Sequence, residues 1–240
     1  MYIKIGENVL KLNGKKTVQA IIDIKLHDLV LDVEKWQAAG VQIIPQYADD
    51  YPENLKSLDD APLVLFARGN YQPDTWQNAV AIIGTRQPSA KAKKFTFDLA
   101  QNLAISGRAV ISGLALGIDT AAHQGALNSR NTPTIAILGG GVLDIYPPQN
   151  QALADKILEQ GALISENAPY ATSNAARLVT RNRIISGLSH GVLIVESADG
   201  SGSLITSDFA LEQGREVFAV PGSVKSKTSS GSNRLIKEGA

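Results

Sequence analysis

The chain has 240 residues, 44% of them hydrophobic and 19% charged, with 23 basic side chains against 23 acidic ones and a formal net charge of zero. That size and composition suit one large globular domain, or a medium domain with a small companion. With no cysteine and three histidines far apart in the chain, disulfides and thiolate metal sites are excluded and neither a metal nor another cofactor is expected. Zero net charge excludes coating nucleic acid by bulk charge, but not a local basic groove.

Residues 1–45 read as a small helical segment, dense in apolar residues from Val18 to Leu31, which closes with a helix stop at Gly40 and a short strand to Pro45. The opening MYIKIGENVL lacks a signal-peptide apolar region, and no run reaches the roughly 18 apolar residues of a membrane span, so the expected location is the cytoplasm with no membrane partner. Residues 46–77 carry turn chemistry at Asp49-Asp50-Tyr51-Pro52 and Asp59-Asp60-Ala61-Pro62, with a strand at Leu63–Ala67.

The core runs from 77 to 240. Apolar runs at 80–83, 109–112, 134–138, 162–165, 191–195 and 216–220 read as buried strands. Helical patterns at 90–106, 119–129, 149–160, 181–188 and 202–213 separate them, the first with Phe95, Leu99, Leu103 and Ile105 on one face. Alternating strands and helices predict an α/β fold: a doubly wound, mostly parallel sheet with helices on both faces. In such sheets ligands sit beyond the carboxyl ends of the strands, where strand order reverses. Glycine or serine stands at all six of those ends, a rim suited to holding phosphates.

Four motifs define the rim. Gly84-Thr85-Arg86 follows the first core strand, and an arginine there can fork onto a phosphate while turn amides hold another oxygen. Ser112-Gly113 to Gly117 and Asp119 lacks the spacing of a dinucleotide fingerprint; Asp119 reads as a helix cap or as a hydrogen-bond partner of a sugar or a backbone group, and His123 as a structural histidine. Arg181-Asn182-Arg183 places two arginines at a helix start, which the helix dipole disfavours unless an anion compensates. Ser201-Gly202-Ser203 opens a helix as a phosphate-type loop without the lysine of an ATP-binding loop.

Catalytic patterns are scarce. Asp119, Asp144, Glu166, Glu196, Asp208 and Glu212 are not paired at a spacing that implies acid–base work. There is no serine elbow and no cysteine nucleophile. The chain is expected not to be an enzyme.

Taken in order, AIIGTRQPS, VISGLALGIDTAAHQGAL, TIAILGGGVLDIYPPQN, RNRIISGLS, VLIVESADGSGSLITSDFALEQGREVFAVPG and SGSNRLIKEGA closely resemble the DNA-processing protein DprA (Smf) family. The resemblance covers residues 46–240, including DDYPENL upstream. It implies an extended Rossmann-like domain that binds single-stranded DNA, protects incoming DNA in natural transformation, loads the recombinase RecA and forms a homodimer through the Rossmann-like domain. It further implies a DNA-phosphate pocket made by Gly84, Thr85, Arg86, Ser112, Gly113, Gly117, Asp119, Arg181 and Arg183, with Asn182 between the arginines and Ser201, Gly202 and Ser203 completing the rim.

Two departures stand out. Many members have an aromatic just before the RNR motif, whereas here the last aromatic before it is Tyr170. Many also carry a C-terminal winged-helix module, and this chain stops at Gly239-Ala240, as a compact or a shortened member. The alternative expectation is a nucleotide-processing, phosphoribohydrolase-like enzyme with a P-G-G-x-G-T-x-x-E motif. Here Thr206 stands where its glutamate would be, leaving Glu196 or Asp208 as substitutes.

Overall fold

A computed structural model describes residues 2–5, 8–11, 26–129 and 132–240, which fall into two units, 1–40 and 41–240. In the first unit β1 (Tyr2–Ile5) and β2 (Asn8–Lys11) pair as an antiparallel hairpin, and α1 (Leu26–Ala38) follows. The N-terminal segment read as helical therefore holds strands as well: short runs with β-branched residues on either side of a glycine favour a hairpin. Val18, Ile21, Ile22 and Ile24 lie outside the described residues.

The second unit begins with β3 (Val41–Pro45), α2 (Glu53–Lys56), β4 (Val64–Gly69), β5 (Val80–Gly84) and α3 (Ala90–Ile105). It continues with β6 (Val110–Ser112), α4 (Ile118–Leu127), β7 (Thr134–Ile137), α5 (Gln151–Gln160) and β8 (Ala162–Ser165). It ends with α6 (Ala175–Thr180), α7 (Asn182–Leu188), β9 (Gly191–Val195), α8 (Gly202–Glu212), β10 (Glu216–Ala219) and α9 (Ser230–Glu238). One sheet takes in all eight strands of this unit, in the order β10-β9-β5-β6-β7-β8-β4-β3. From β10 to β8 neighbours are parallel; β4 and β3 add on antiparallel. The strand Val41–Pro45, assigned from sequence to the N-terminal segment, thus belongs to the main sheet.

The chain winds outward from β5 through β6 and β7 to β8, then returns to the far side of β5 to form β9 and β10. Strand order therefore reverses between β5 and β9, and the α/β, doubly wound, mostly parallel architecture expected from the sequence is the one observed. Burial on both faces explains the unbroken apolar runs. Ala81 and Ile83 face a core with Ile111, Ile184, Ile185 and Ile194, while Ile82 faces the opposite one with Val110, Ile118 and Val195.

α3 differs from its sequence reading. It buries Ala92, Thr96, Ala100 and Ala104, whereas Phe95 and Ile105 are exposed and Leu99 and Leu103 half-buried. The reason is close packing against α4, where a Cβ on Gly125 would lie 2.2 Å from the Phe97 carbonyl oxygen. Two helices brought that near need small residues between them.

Candidate functional site

Beyond the carboxyl ends of β5 and β9 lies a cleft of about 600 Å³. The turn after β5 contributes Gly84, Thr85 and Arg86 to its wall, and α4 contributes Asp119. The α6–α7 junction contributes Arg181 and Asn182, and the loop after β9 contributes Ser201, Gly202 and Ser203. Four segments picked from separate stretches of sequence thus share one cavity at the switch point.

The turns that build this wall are tied to each other. Thr85 N donates to Glu196 O at 3.0 Å, and Ile118 N to Thr85 O at 3.2 Å. Gly117, at φ +87°, fits its backbone against the Thr85–Arg86 peptide; a Cβ there would sit 2.4 Å from Thr85 O. Glu196, itself at φ +46°, accepts from Ser89 N at 2.7 Å and from Ser89 Oγ at 2.6 Å, so it caps the start of α3. Its carboxylate is spent on that cap and is not on the cleft wall.

Several motif residues prove to be internal supports. Ser112 is buried and its Oγ donates to Ile82 O at 2.7 Å, stapling β6 to β5. Asp119 Oδ2 accepts from Gly113 N at 3.1 Å and from Ala115 N at 3.2 Å. Two of the turn amides offered by the sequence as an anion cradle are therefore already occupied. Burial pushes the Asp119 carboxyl up, opposed by the Arg181 charge and these two amides.

Arg181 is buried. Its Nη1 donates to Gly113 O at 2.7 Å and to Ile137 O, and its Nε to Asn182 Oδ1 at 2.9 Å. Gly113 has room only for this guanidinium, since a Cβ would lie 2.2 Å from Nη1. Arg183 points elsewhere: Nε meets Asp60 at 3.2 Å and Nη2 meets Glu166 at 2.5 Å. The anions that reconcile two arginines with a helix start are thus carboxylates of the chain itself, Asp119 by its field and Glu166 and Asp60 by contact. Gly117, Ser112 and Arg183 do not line the cleft, and Gly113 lines only a side slot beside it.

What remains open on the wall is compact. Arg86 is exposed and has neither a carboxylate nor a hydrogen-bond partner among the described residues. On the same cleft Ser201 caps α8 without a side-chain cap bond, and its Oγ joins those of Ser197 and Ser203 at 2.6 and 2.8 Å. The Gly202 and Ser203 amides open this helix with no acceptor among the described residues. One free guanidinium sharing a cleft with a helix N-terminus and a hydroxyl cluster is an anion-binding arrangement.

α6 was missed in the sequence, although Asn174 Oδ1 accepts from Arg177 N at 2.9 Å as a helix cap. It supplies Ala175, Leu178 and Val179 to the cleft. Tyr146 also lines the cleft and was read only as part of a family motif, whereas the exposed Tyr170 lines neither cavity.

His123 lies buried behind the rim. Thr134 Oγ1 donates to Val110 O at 2.9 Å, so it accepts from His123 Nδ1–H at 2.8 Å, leaving Nε2 as the bare nitrogen. Burial, aided by the Arg181 charge, lowers the His123 pKa to about 3. The unfolded chain takes up this proton near pH 6.5 and the folded chain does not, so stability present above pH 6.5 is lost on acidification toward pH 3. Between pH 7 and pH 5 the loss from this group is expected to reach about 2 kcal/mol. Urea titrations at both pH values on wild type and His123→Leu measure it; equal pH dependence in the two proteins would refute it.

Residues 42–240 match the family described as DNA recombination-mediator protein A. The chain is 41% identical over 205 residues to the DNA processing protein DprA of Bacillus subtilis, covering 85% of this chain and 69% of that one. It is 44% identical over 200 residues to the protein Smf of Escherichia coli, covering 82% and 53%. It thus spans about half of the latter relative and about two-thirds of the former. The crystal structure of DNA processing protein A from Streptococcus pneumoniae superposes with a TM-score of 0.84 at 37% identity, over 93% of this chain and 76% of that one. The solved structure of DNA processing protein A from Helicobacter pylori, reported for its unique single-stranded DNA binding mode, gives 0.74 at 29% identity, over 83% and 88%.

Proposed function

The chain belongs to the DNA recombination-mediator protein A family, and on that premise we propose that its switch-point cleft binds the phosphodiester backbone of single-stranded DNA. The observation that carries this reading is Arg86, an exposed cation without a partner among the described residues, lining the same cleft as the amide and hydroxyl donors at the start of α8. Neutral overall charge with a local donor set suits a backbone contact of a few phosphates without base readout. The binding reading is favoured over nucleotide hydrolysis because the cleft's carboxylate, Asp119, is held by two amides and Glu196 by Ser89. The wider role we propose is non-enzymatic: a cytoplasmic protein that holds incoming single strands in transformation and passes them to a RecA recombinase, acting as a homodimer. Leu211 on α8 and Phe218 on the edge strand β10, both half or more exposed, offer apolar surface for a second copy.

Fluorescence-anisotropy titration of a labelled oligo-thymidine tests the cleft. Arg86→Ala is expected to weaken binding about tenfold and to reduce the slope of log K against log salt by about 0.7, the value for one phosphate neutralised on a single strand. Unchanged affinity and slope would remove the cleft from DNA binding.

A further inference from the structure

A second cavity, of about 140 Å³, lies at the other end of the same two central strands. Trp76 closes the 3₁₀ turn Pro73–Trp76 just before β5, and Leu188 ends α7 just before β9. His190 N donates to Ala79 O at 2.8 Å and ties these two approaches together. The cavity is thus set at the amino ends of β5 and β9, whereas the cleft lies beyond their carboxyl ends. Its wall is apolar where it is deepest: Tyr51, Trp76 and Leu188 are each at most 2% exposed. Its rim is acidic. Asp49, Glu53 and Asp74 are exposed carboxylates, and no basic side chain among the described residues lines the cavity. Glu53 meets Lys56 at 3.3 Å, whereas Asp49 and Asp74 form no ion pair among the described residues. Exposed carboxylates alone are ordinary surface. Trp76 is the feature that sets this cavity apart. Its Nε1–H is buried and has no acceptor among the described residues, a costly state for a donor that nothing repays within the chain.

We propose that this cavity docks an extended, arginine-bearing segment of a partner protein. The occupant must supply two things at once: an acceptor for the Trp76 indole and a positive charge for the rim. A peptide carbonyl next to an arginine supplies both. The segment lays its backbone in the cavity, where one carbonyl accepts from Nε1–H. The arginine stem covers the apolar wall, and the guanidinium turns back to the rim, where its planar set of donors serves Asp49 and Asp74, which approach from different elements. Other occupants fit less well. The carboxylates repel a nucleic-acid backbone, so this cavity is not an extension of the cleft. No three acidic or imidazole side chains among the described residues converge to ligate a metal ion, which leaves an extended organic cation. The inference does not depend on the DNA-binding reading, and its site stays open when the opposite end of the strands is occupied.

The chain has two tryptophans, so the full-length ¹⁵N-labelled protein gives two indole N–H signals, and Trp36→Phe tells which belongs to Trp76. The probe is the blocked tripeptide acetyl-Gly-Arg-Gly-amide, titrated by ¹H–¹⁵N correlation spectroscopy. Its neutral counterpart carries citrulline in place of arginine. With the arginine peptide the Trp76 indole proton is expected to move downfield, as a donor does on gaining an acceptor, and to saturate with a Kd on the order of a millimolar. The Trp36 signal stays in place. The double variant Asp49→Asn with Asp74→Asn changes only exposed side chains, so it folds as the wild type does, and it is expected to bind the peptide about 3- to 20-fold more weakly. The citrulline peptide gives no saturable shift. Absence of a saturable shift with the arginine peptide up to about 20 mM overturns the proposal. Equal binding of the citrulline peptide, or unchanged affinity in the double variant, overturns it as well, because the rim carboxylates would then recognise no charge.

Discussion

Arg181→Met is expected to destabilise the fold by about 3–5 kcal/mol, the usual cost of breaking a buried charge interaction from one side. The side chain is the keystone of the floor under the cleft. Its Nη1 serves the carbonyls of Gly113 and Ile137, at the ends of β6 and β7, and its Nε holds Asn182 at the start of α7. Methionine fills much of the volume but leaves two inward carbonyls without this donor and Asp119 without its opposing charge. For a chain of this size the loss corresponds to a fall in Tm of roughly 10 °C. Arg181→Lys is expected to recover only part of it, because an ammonium cannot reproduce the planar fork. Thermal and urea unfolding check both; a cost below about 1 kcal/mol for the methionine variant would show that the network is dispensable. DNA binding lost in an Arg181 variant therefore does not identify a DNA contact, whereas the same loss in Arg86→Ala does.

Gly117→Ala is expected to cost about 2–5 kcal/mol and to take ligand affinity with it. Gly117 sits at φ +87° and ψ −118°, outside the regions comfortable for an L side chain. The added methyl would also meet backbone: Thr85 O at 2.4 Å, and Arg86 C and O at 2.7 Å. Backbone cannot rotate aside as a side chain can, so the Thr85–Arg86 turn must move, and Arg86 with it. Gly214→Ala is the matched control. Its φ of +65° is also left-handed, but nothing lies within 4 Å of the new Cβ, so it is expected to cost only about 1–2 kcal/mol. If the two substitutions prove equally mild, the contact between the turns is not what requires glycine at 117.

The strands and the place of the cleft were legible in the sequence because both depend on local pattern. Apolar runs closed by Gly84, Gly113 and Ser165 mark buried strands and their ends, and the doubly wound rule puts ligands at those ends. What each polar residue does was not legible, because partners come from far along the chain. Arg181 meets carbonyls 68 and 44 residues away, and Arg183 meets Glu166 at 17. The arginines at the start of α7 were read as calling for an outside anion, but the compensating charges are carboxylates of the chain itself. α3 misled for another reason: its large apolar residues form a plausible face, yet the helix packs so close to α4 that the alanine stripe is the side that fits. α6 has six residues, too few for periodicity to register.

The interlocked turns bear on how the cleft takes a ligand. Gly117 seated on the Thr85–Arg86 peptide, Thr85 bonded to Glu196, and Glu196 capping α3 leave the wall little conformational freedom before anything arrives. Association normally loses entropy on both sides, as loops and side chains of the receptor are ordered around the ligand. Here the backbone of the wall was ordered when the chain folded, so on the proposed single-stranded DNA reading the more flexible member of the pair is the ligand. An elongated, limp polyanion gives up its own freedom segment by segment against a rigid mould. Affinity then depends on the ligand's stiffness and on how many of its units lie down at once, more than on any closing motion of the protein.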